Sequence, residues 1–350
     1  MFKDKRVVVT GGTGFIGTHY IEELLSRGAQ VITHTRPQPY TKKLRLEDDR
    51  IVVVENIDLE NIKDCEKLIR GKYFQSPGLA DYVVHSAGKI CHPSNVAKDF
   101  QVSLNQIKVI TNVLEASYKS GVKGFLDVNS STGYPDRRYP ITEDEYWDGE
   151  PYISYYGYGW MRRYREKVME HASHLSDMKI GIARGTAIFG PHDNFNLETC
   201  HVVPALIKRL LSGEDPFVVW GSPDVVRDFL YVKDVINGCL LVLEKGESMR
   251  PYNVGYGSTV TIGDIVDALQ DVSGKFPDVE WDNSKPTTIP FRSCSTERIQ
   301  NELGFEPKYT FRDALQETVE WYKENDDNYV EDYSYSCYPS WERSLKEDKK

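Results

Sequence analysis

A β-branched run, Val7-Val8-Val9, leads directly into Thr10-Gly11-Gly12-Thr13-Gly14-Phe15-Ile16-Gly17. Few folds begin this way. A short buried strand, three glycines at three-residue spacing and an ensuing helical pattern make up the first βα turn of a dinucleotide-binding unit. Gly11 permits the tight turn, Gly14 lets the backbone approach a pyrophosphate, and Gly17 allows close helix–strand packing. Thr13, Phe15 and Ile16 lie between them, beside the same ligand. The helix start offers phosphate its free N–H groups and the positive end of its dipole. The plain alternative is a structural turn without a ligand.

Strand and helix signals alternate through the first half, the α/β pattern of a Rossmann-type, doubly wound parallel sheet. Strands are expected over 7–9, 30–33, 51–54, 82–85, 124–128 and 180–183. Helices are expected over 19–27, closed by Gly28, over 102–120, ending at Gly121, and over 155–173. After Gly190-Pro191 the loops lengthen, with helices expected over 202–211, 232–243, 262–272 and 311–323 and an extended stretch over 217–220. The chain divides into a dinucleotide-binding domain (1–188 and 228–256), a smaller substrate-binding lobe (189–227 and 257–325) and an acidic tail (326–350). Its 350 residues suffice for such a two-lobed core.

Composition removes several function classes. A net charge of −10 argues against a nucleic-acid surface, so an anionic ligand must be held by a few local cations. The six cysteines (Cys65, Cys91, Cys200, Cys239, Cys294 and Cys337) form no C-x-x-C pair, which suits neither zinc nor a disulfide framework. Reduced thiols in the cytoplasm and no metal are expected. The apolar run near Met1 is too short for a signal peptide, and no stretch approaches the roughly 18 apolar residues of a membrane span. At the end of the second strand, His34-Thr35-Arg36 lacks the acid that usually binds the ribose hydroxyls of NAD. Arg36 suits a 2′-phosphate, so NADP is expected, with NAD possible; a surface arginine without a ligand is the alternative.

The glycine spacing resembles the extended short-chain dehydrogenase/reductase family, of the NAD-dependent epimerase/dehydratase type. Further residues fall into that family's order: Asp58-Leu59 where an acid contacts adenine, Ser86-Ala87-Gly88 beside the cofactor, Asn105 in the long helix, and Arg184 at the end of the strand before Gly190-Pro191. The resemblance implies hydride chemistry by a Ser or Thr, a Tyr and a Lys. Ser130 stands four residues before Tyr134-Pro135, as the family's serine does. Tyr152, Tyr155, Tyr156 and Tyr158 compete for the tyrosine. The family pattern Y-G-x-x-K-x-x-x-E selects Tyr158, followed by Gly159, a cation at Arg162 and Glu166; Tyr156 would put Trp160 in the lysine slot and Tyr155 would put Gly159 there. One helical turn separates Tyr158 from Arg162, so both share a face. A free tyrosine has a pKa near 10, so proton transfer at neutral pH needs such a fixed cation. Arginine keeps the charge, but its planar fork differs from a compact ammonium.

The second half resembles the GDP-L-fucose synthases, in Gly190-Pro191-His192-Asp193-Asn194-Phe195, in His201-Val202-Val203-Pro204, in Val218-Val219-Trp220-Gly221 and in Arg227-Asp228-Phe229. That family epimerises GDP-4-keto-6-deoxymannose at carbons 3 and 5 and reduces carbon 4 with NADPH. The resemblance implies a catalytic histidine at His201, diphosphate-binding arginines at Arg209 and Arg227, and sugar-nucleotide contacts from Asn194 and Trp220. The family's second epimerisation residue, a cysteine, is replaced by Thr132, whose hydroxyl is far too weak an acid to stand in for a thiol. Neither Cys91 nor Cys200 occupies that position, and Ala187 replaces a family asparagine. Ser131-Thr132 also lacks the Asp-Glu of sugar 4,6-dehydratases.

The expected activity is NADP-dependent oxidation or reduction at carbon 4 of a nucleotide-diphospho sugar, GDP-linked by resemblance. Tyr158 would carry the proton, Ser130 would position the oxygen and Arg162 would tune Tyr158. Two other readings remain: a nucleotide-sugar 4-epimerase with tightly held NAD, and a cofactor-binding regulatory protein impaired at Arg162. A homodimer through the tyrosine-bearing helices follows from the resemblance alone.

Overall fold

The computed structural model describes residues 1–38, 41–71, 73, 79–88, 100–284 and 289–329. In chain order the main elements are β1 (Arg6–Thr10), α1 (Phe15–Ser26), β2 (Gln30–His34), β3 (Ile51–Val54), α2 (Ile62–Arg70), β4 (Tyr82–His85), α3 (Phe100–Ser120), β5 (Gly124–Ser130), α4 (Tyr156–His174), β6 (Lys179–Gly185), α5 (Val202–Leu211), α6 (Val232–Lys245), β7 (Pro251–Val254), α7 (Ile262–Ser273), α8 (Glu297–Leu303) and α9 (Phe311–Tyr329).

The seven strands form one parallel sheet in the order β7-β6-β5-β4-β1-β2-β3. Both faces are covered, so the strands read as continuous apolar runs. Val7, Val9, Val31 and Val84 pack towards α1 and α6 with Tyr20, Leu24 and Leu240. Val8, Ile32, Val83 and Phe125 pack towards α2, α3 and α4 with Leu68, Val113 and Met169. β1 lies between β2 and β4, so the connections leave it in opposite directions and open a crevice at its carboxyl end.

Several bounds differ from the sequence reading. α1 starts at Phe15, four residues before the expected His19, because Gly14 caps it without a side chain and leaves no polar start signal. β5 and β6 run on to Ser130 and Gly185. α9 continues to Tyr329, beyond both the expected end at residue 323 and the boundary at 325. The polar residues after Tyr322 give no periodicity from which that end could be read. α2 and α8 were not singled out by the sequence. Residues 330–350, with Cys337, lie outside the described residues, as does Cys91.

Beyond β6 the chain makes short strands. Ala187–Phe189 pairs with Phe229–Tyr231, Phe217–Trp220 with Val279–Asp282, and Val226–Arg227 lies between Val260–Thr261 and Phe291–Arg292. Asp228 stitches the crossings between this region and the sheet. Its carbonyl accepts from Ala187 N–H (3.1 Å) and its own N–H donates to Arg292 (3.2 Å). Its buried carboxylate accepts from Tyr256 N–H (2.8 Å) and from the Thr186 hydroxyl (3.4 Å). Burial pushes that carboxyl up to about 6.

Candidate active site

The glycine turn is held at the switch point of the sheet. Gly11 has φ +74°, and a Cβ there would come within 3.0 Å of the Ala87 Cα, so the turn rests on the segment after β4. Gly14 N–H donates to Gly11 O (2.9 Å). A Cβ at Gly14 would approach only Gly11 O, at 3.2 Å, so its outer side faces open space. A Cβ at Gly17 would overlap Gly11 O and the Gly12 Cα. Gly17 therefore serves the turn itself, a correction to its expected role against the strand. Gly12 is the glycine pressed onto β2, against the Thr33 side chain. Thr13, Phe15 and Ile16 are half-buried around this turn.

Side chains brace the turn from below. Gly11 N–H donates to His34 Nε2 (3.3 Å), which requires that nitrogen to be unprotonated, and burial pushes His34 down to about 4. Thr10 Oγ1 bonds His85 Nδ1 (3.0 Å) and accepts from Ala87 N–H (3.2 Å), while the Ser86 hydroxyl donates to Thr10 O (2.7 Å). Gly88 is exposed and faces the Gln106 side chain. Arg36 is exposed two residues beyond β2. Asp58 is exposed beyond β3 and accepts from Glu60 N–H (2.9 Å), Leu59 is buried, and Asn105 donates to the Glu60 carboxylate. No acidic residue or side-chain cap blocks the first turn of α1. With the open side of Gly14, this uncapped helix start fits a dinucleotide diphosphate.

Ser130 ends β5. Its Oγ accepts from Thr132 N–H (3.3 Å) and from the Thr132 hydroxyl (3.2 Å). Tyr158 stands in the first turn of α4, where the Arg162 guanidinium donates to its hydroxyl and lies 4.7 Å from its ring centroid. A Cβ at Gly159 would come within 2.8 Å of Thr132 O, so the turn bearing Tyr158 rests directly on the Ser130–Thr132 loop. Phenol and guanidinium thus meet on a helix turn that packs against the loop carrying the serine hydroxyl, at the carboxyl end of β5. Arg162 is only 9% exposed.

Neighbouring polar groups form a buried network. Arg184 grips Glu166 with two bonds (2.9 and 2.7 Å) and donates to the Tyr134 hydroxyl (2.9 Å). Asn129 also donates to Glu166 (2.6 Å). Arg163 Nε donates to Gly133 O (2.8 Å), fastening the loop to α4. Buried ion pairs of this kind fix geometry more than they add stability.

The remaining expected residues lie on the lobe side. His201 is exposed immediately before α5. Asn194 holds its own loop, donating to Thr199 (2.8 Å) and accepting from Asn196 N–H (3.0 Å). Arg209 is paired with Glu214 (2.9 Å). Trp220 is 50% exposed at the end of its strand. Arg227 has a neighbour that sequence reasoning missed, Arg292, its register partner on the adjacent strand. Arg292 donates to Pro135 O (3.0 Å) and Tyr134 O (3.4 Å). Burial holds both guanidiniums below the usual arginine range, and Arg292 pushes Arg227 down further, while Tyr155 bears on both. Two cations side by side, Arg292 buried and Arg227 half-buried, favour an anion. Arg292 belongs to no motif; its one signal is a cation between apolar Phe291 and Cys294.

Among the described residues no group of three or more His, Cys, Asp or Glu could hold a metal ion, and no helix is long and apolar enough to cross a membrane.

The family model for the NAD dependent epimerase/dehydratase family matches residues 7–255. The probable GDP-L-fucose synthase 1 of Oryza sativa subsp. japonica is 30% identical over 334 residues, covering 92% of this chain and 93% of its own length. Among solved structures, a GDP-L-fucose synthetase from Naegleria fowleri bound to NADP is 26% identical with a TM-score of 0.75, over 94% of this chain and 95% of that one. A UDP-glucose 4-epimerase from Thermotoga maritima with UDP-glucose is 25% identical with a TM-score of 0.78, over 91% and 99%.

Proposed function

We infer that this chain, which belongs to the NAD dependent epimerase/dehydratase family, is an NADP(H)-dependent oxidoreductase acting at carbon 4 of a GDP-linked keto sugar. The observation that carries this reading is the Tyr158 hydroxyl, held by buried Arg162 on a helix turn that rests on the Ser130 loop. When bound, the nicotinamide supplies the hydride. Tyr158 gives its proton to the carbon 4 oxygen, and Arg162 stabilises the phenolate left behind. The Ser130 hydroxyl, fixed by Thr132, orients that oxygen. Arg227 and Arg292 offer forked donors to the diphosphate. Arg36 supports NADP over NAD, and the fucose synthase relatives support guanosine. Thr132 is committed to Ser130, so it is not expected to exchange protons at carbons 3 or 5, and His201 is the remaining proton-transfer candidate beside the sugar.

Likeness to the UDP-glucose 4-epimerase favours a second reading, 4-epimerisation with retained NAD. Thermal-shift measurements with NADP or NAD and a panel of GDP-, UDP- and dTDP-sugars, followed by NADPH consumption with GDP-4-keto-6-deoxymannose, separate the two. The expected result is stabilisation by NADPH with a GDP-sugar and net NADPH oxidation. Cofactor retained through purification without net redox turnover would instead mean epimerisation, and no shift with any GDP-sugar would remove the guanosine assignment.

A homodimer through α4, the helix that bears Tyr158, is part of this proposal. Tyr156, Trp160 and Tyr164 recur at four-residue spacing along α4 and are 46, 38 and 53% exposed. Such an aromatic stripe on one helix face suits helix–helix association. By light scattering, the protein is expected at twice the chain mass, and Trp160→Glu with Tyr164→Glu at the single-chain mass. A monomeric parent protein would end this part of the proposal. The four described thiols, Cys65, Cys200, Cys239 and Cys294, are free and buried, which suits the cytoplasm; cell fractionation tests that placement.

A further inference from the structure

Asp127 on β5 is fully buried, and Arg165 of α4, 2% exposed, donates to its Oδ1. The register partner of Asp127 on β4 is His85. Arg162 and Arg165 stand three residues apart on α4, on one face of the helix, and both act electrostatically on His85. Asp127 Oδ2 and the Nε atoms of Arg162 and Arg165 are buried without a hydrogen-bond partner. Glu166, a buried carboxylate on α4 itself, is gripped by Arg184 and Asn129.

We propose that Arg165 is a positioning residue that holds Asp127 so that Arg162 stays directed at the Tyr158 hydroxyl. The proposal rests on the reading of Tyr158 and Arg162 as the reacting pair. A buried carboxylate cannot stay unpaired without a large desolvation penalty, and it binds a guanidinium more strongly than a neutral hydroxyl does. Without Arg165, Asp127 takes the open N–H of Arg162 and draws the guanidinium off the phenol. An arginine in this slot is open to such capture because its donors point in several directions at once.

The test compares folded variants in NADPH-linked turnover of GDP-4-keto-6-deoxymannose. Arg165→Met is expected to lower kcat by about 10- to 100-fold, with the NADPH dissociation constant changed by less than about threefold. Asp127→Asn added to Arg165→Met is expected to restore kcat to within about threefold of the parent, and Arg165→Lys to retain it. In the cofactor-free protein, the Nε–H resonance of Arg162, assigned by its loss in Arg162→Lys, is expected to move downfield in Arg165→Met and to return in the double variant. If the methionine variant does not fold, Arg165→Gln, whose neutral amide leaves the Asp127 charge uncompensated, is expected to show the same loss and the same rescue by Asp127→Asn. Unchanged kcat in the single variant, or a loss that persists in the folded double variant, overturns the proposal. Full turnover in Tyr158→Phe would overturn the underlying reading of the site instead.

Discussion

Tyr158→Phe is expected to lower kcat for carbon 4 by about 10²- to 10⁴-fold, the usual contribution of a positioned general acid. The substitution removes one oxygen and leaves the ring, so the Arg162 guanidinium keeps the face it lies over at 4.7 Å. Gly159 still seats the helix on Thr132. NADPH affinity, measured by fluorescence titration, is therefore expected to change by less than about threefold, with the loss confined to the chemical step. A fall of less than about tenfold would mean that another group carries the proton.

Gly17→Ala is expected to act on the other half of the site. The added methyl overlaps the Gly11 carbonyl oxygen and the Gly12 Cα, both of them backbone, so no side-chain rotation relieves it. The turn must open and lose the Gly14–Gly11 hydrogen bond that aims the helix start. Overpacking of this kind costs about 1–3 kcal/mol, and NADPH affinity by calorimetry is expected to fall by about 5- to 150-fold. Gly14→Ala is the informative comparison. Its backbone, at φ −93°, suits any residue, and its methyl meets only Gly11 O at 3.2 Å. It is expected to fold normally and to weaken NADPH alone. Equal stability losses in the two variants would contradict the distinct roles of these glycines.

Six of the seven sheet strands were legible because each carries a short β-branched or apolar run bounded by turns, as at Val7–Val9 and Ile51–Val54; β7, Pro-Tyr-Asn-Val, carries none and could not be read from the sequence. The start of α1 was hidden because a glycine caps it and Phe15 and Ile16 open it, where a polar cap was sought. The Tyr158–Arg162 pair was selected by the family pattern Y-G-x-x-K-x-x-x-E, and the spacing of four put both on one helix face. Four features could not be read from the residues, two because they join chain segments far apart and two because they depend on local side-chain geometry. Arg292 meets Arg227 across a two-residue strand pairing. Asp127 and Arg165, 38 positions apart, meet only once α4 has packed on β5. Arg209 looks like a ready anion ligand in sequence, yet Glu214 five residues on already holds it. The hydroxyl bond from Thr132 to Ser130 depends on the tight 3₁₀ turn that follows β5.

The stitch at Asp228 has a mechanical consequence. One buried carboxylate and its backbone join the crossings at Thr186, Ala187, Tyr256 and Arg292, so the passage between sheet and lobe is a riveted seam. A hinge needs a few residues free to change φ and ψ, and here those residues are bonded to one another. Sheet and lobe are then expected to move as one body. On the proposed function, selectivity among sugar nucleotides is therefore expected to come from the side chains that line the site and not from closure around the ligand, a role that reading gives to Asn194, His201 and Trp220.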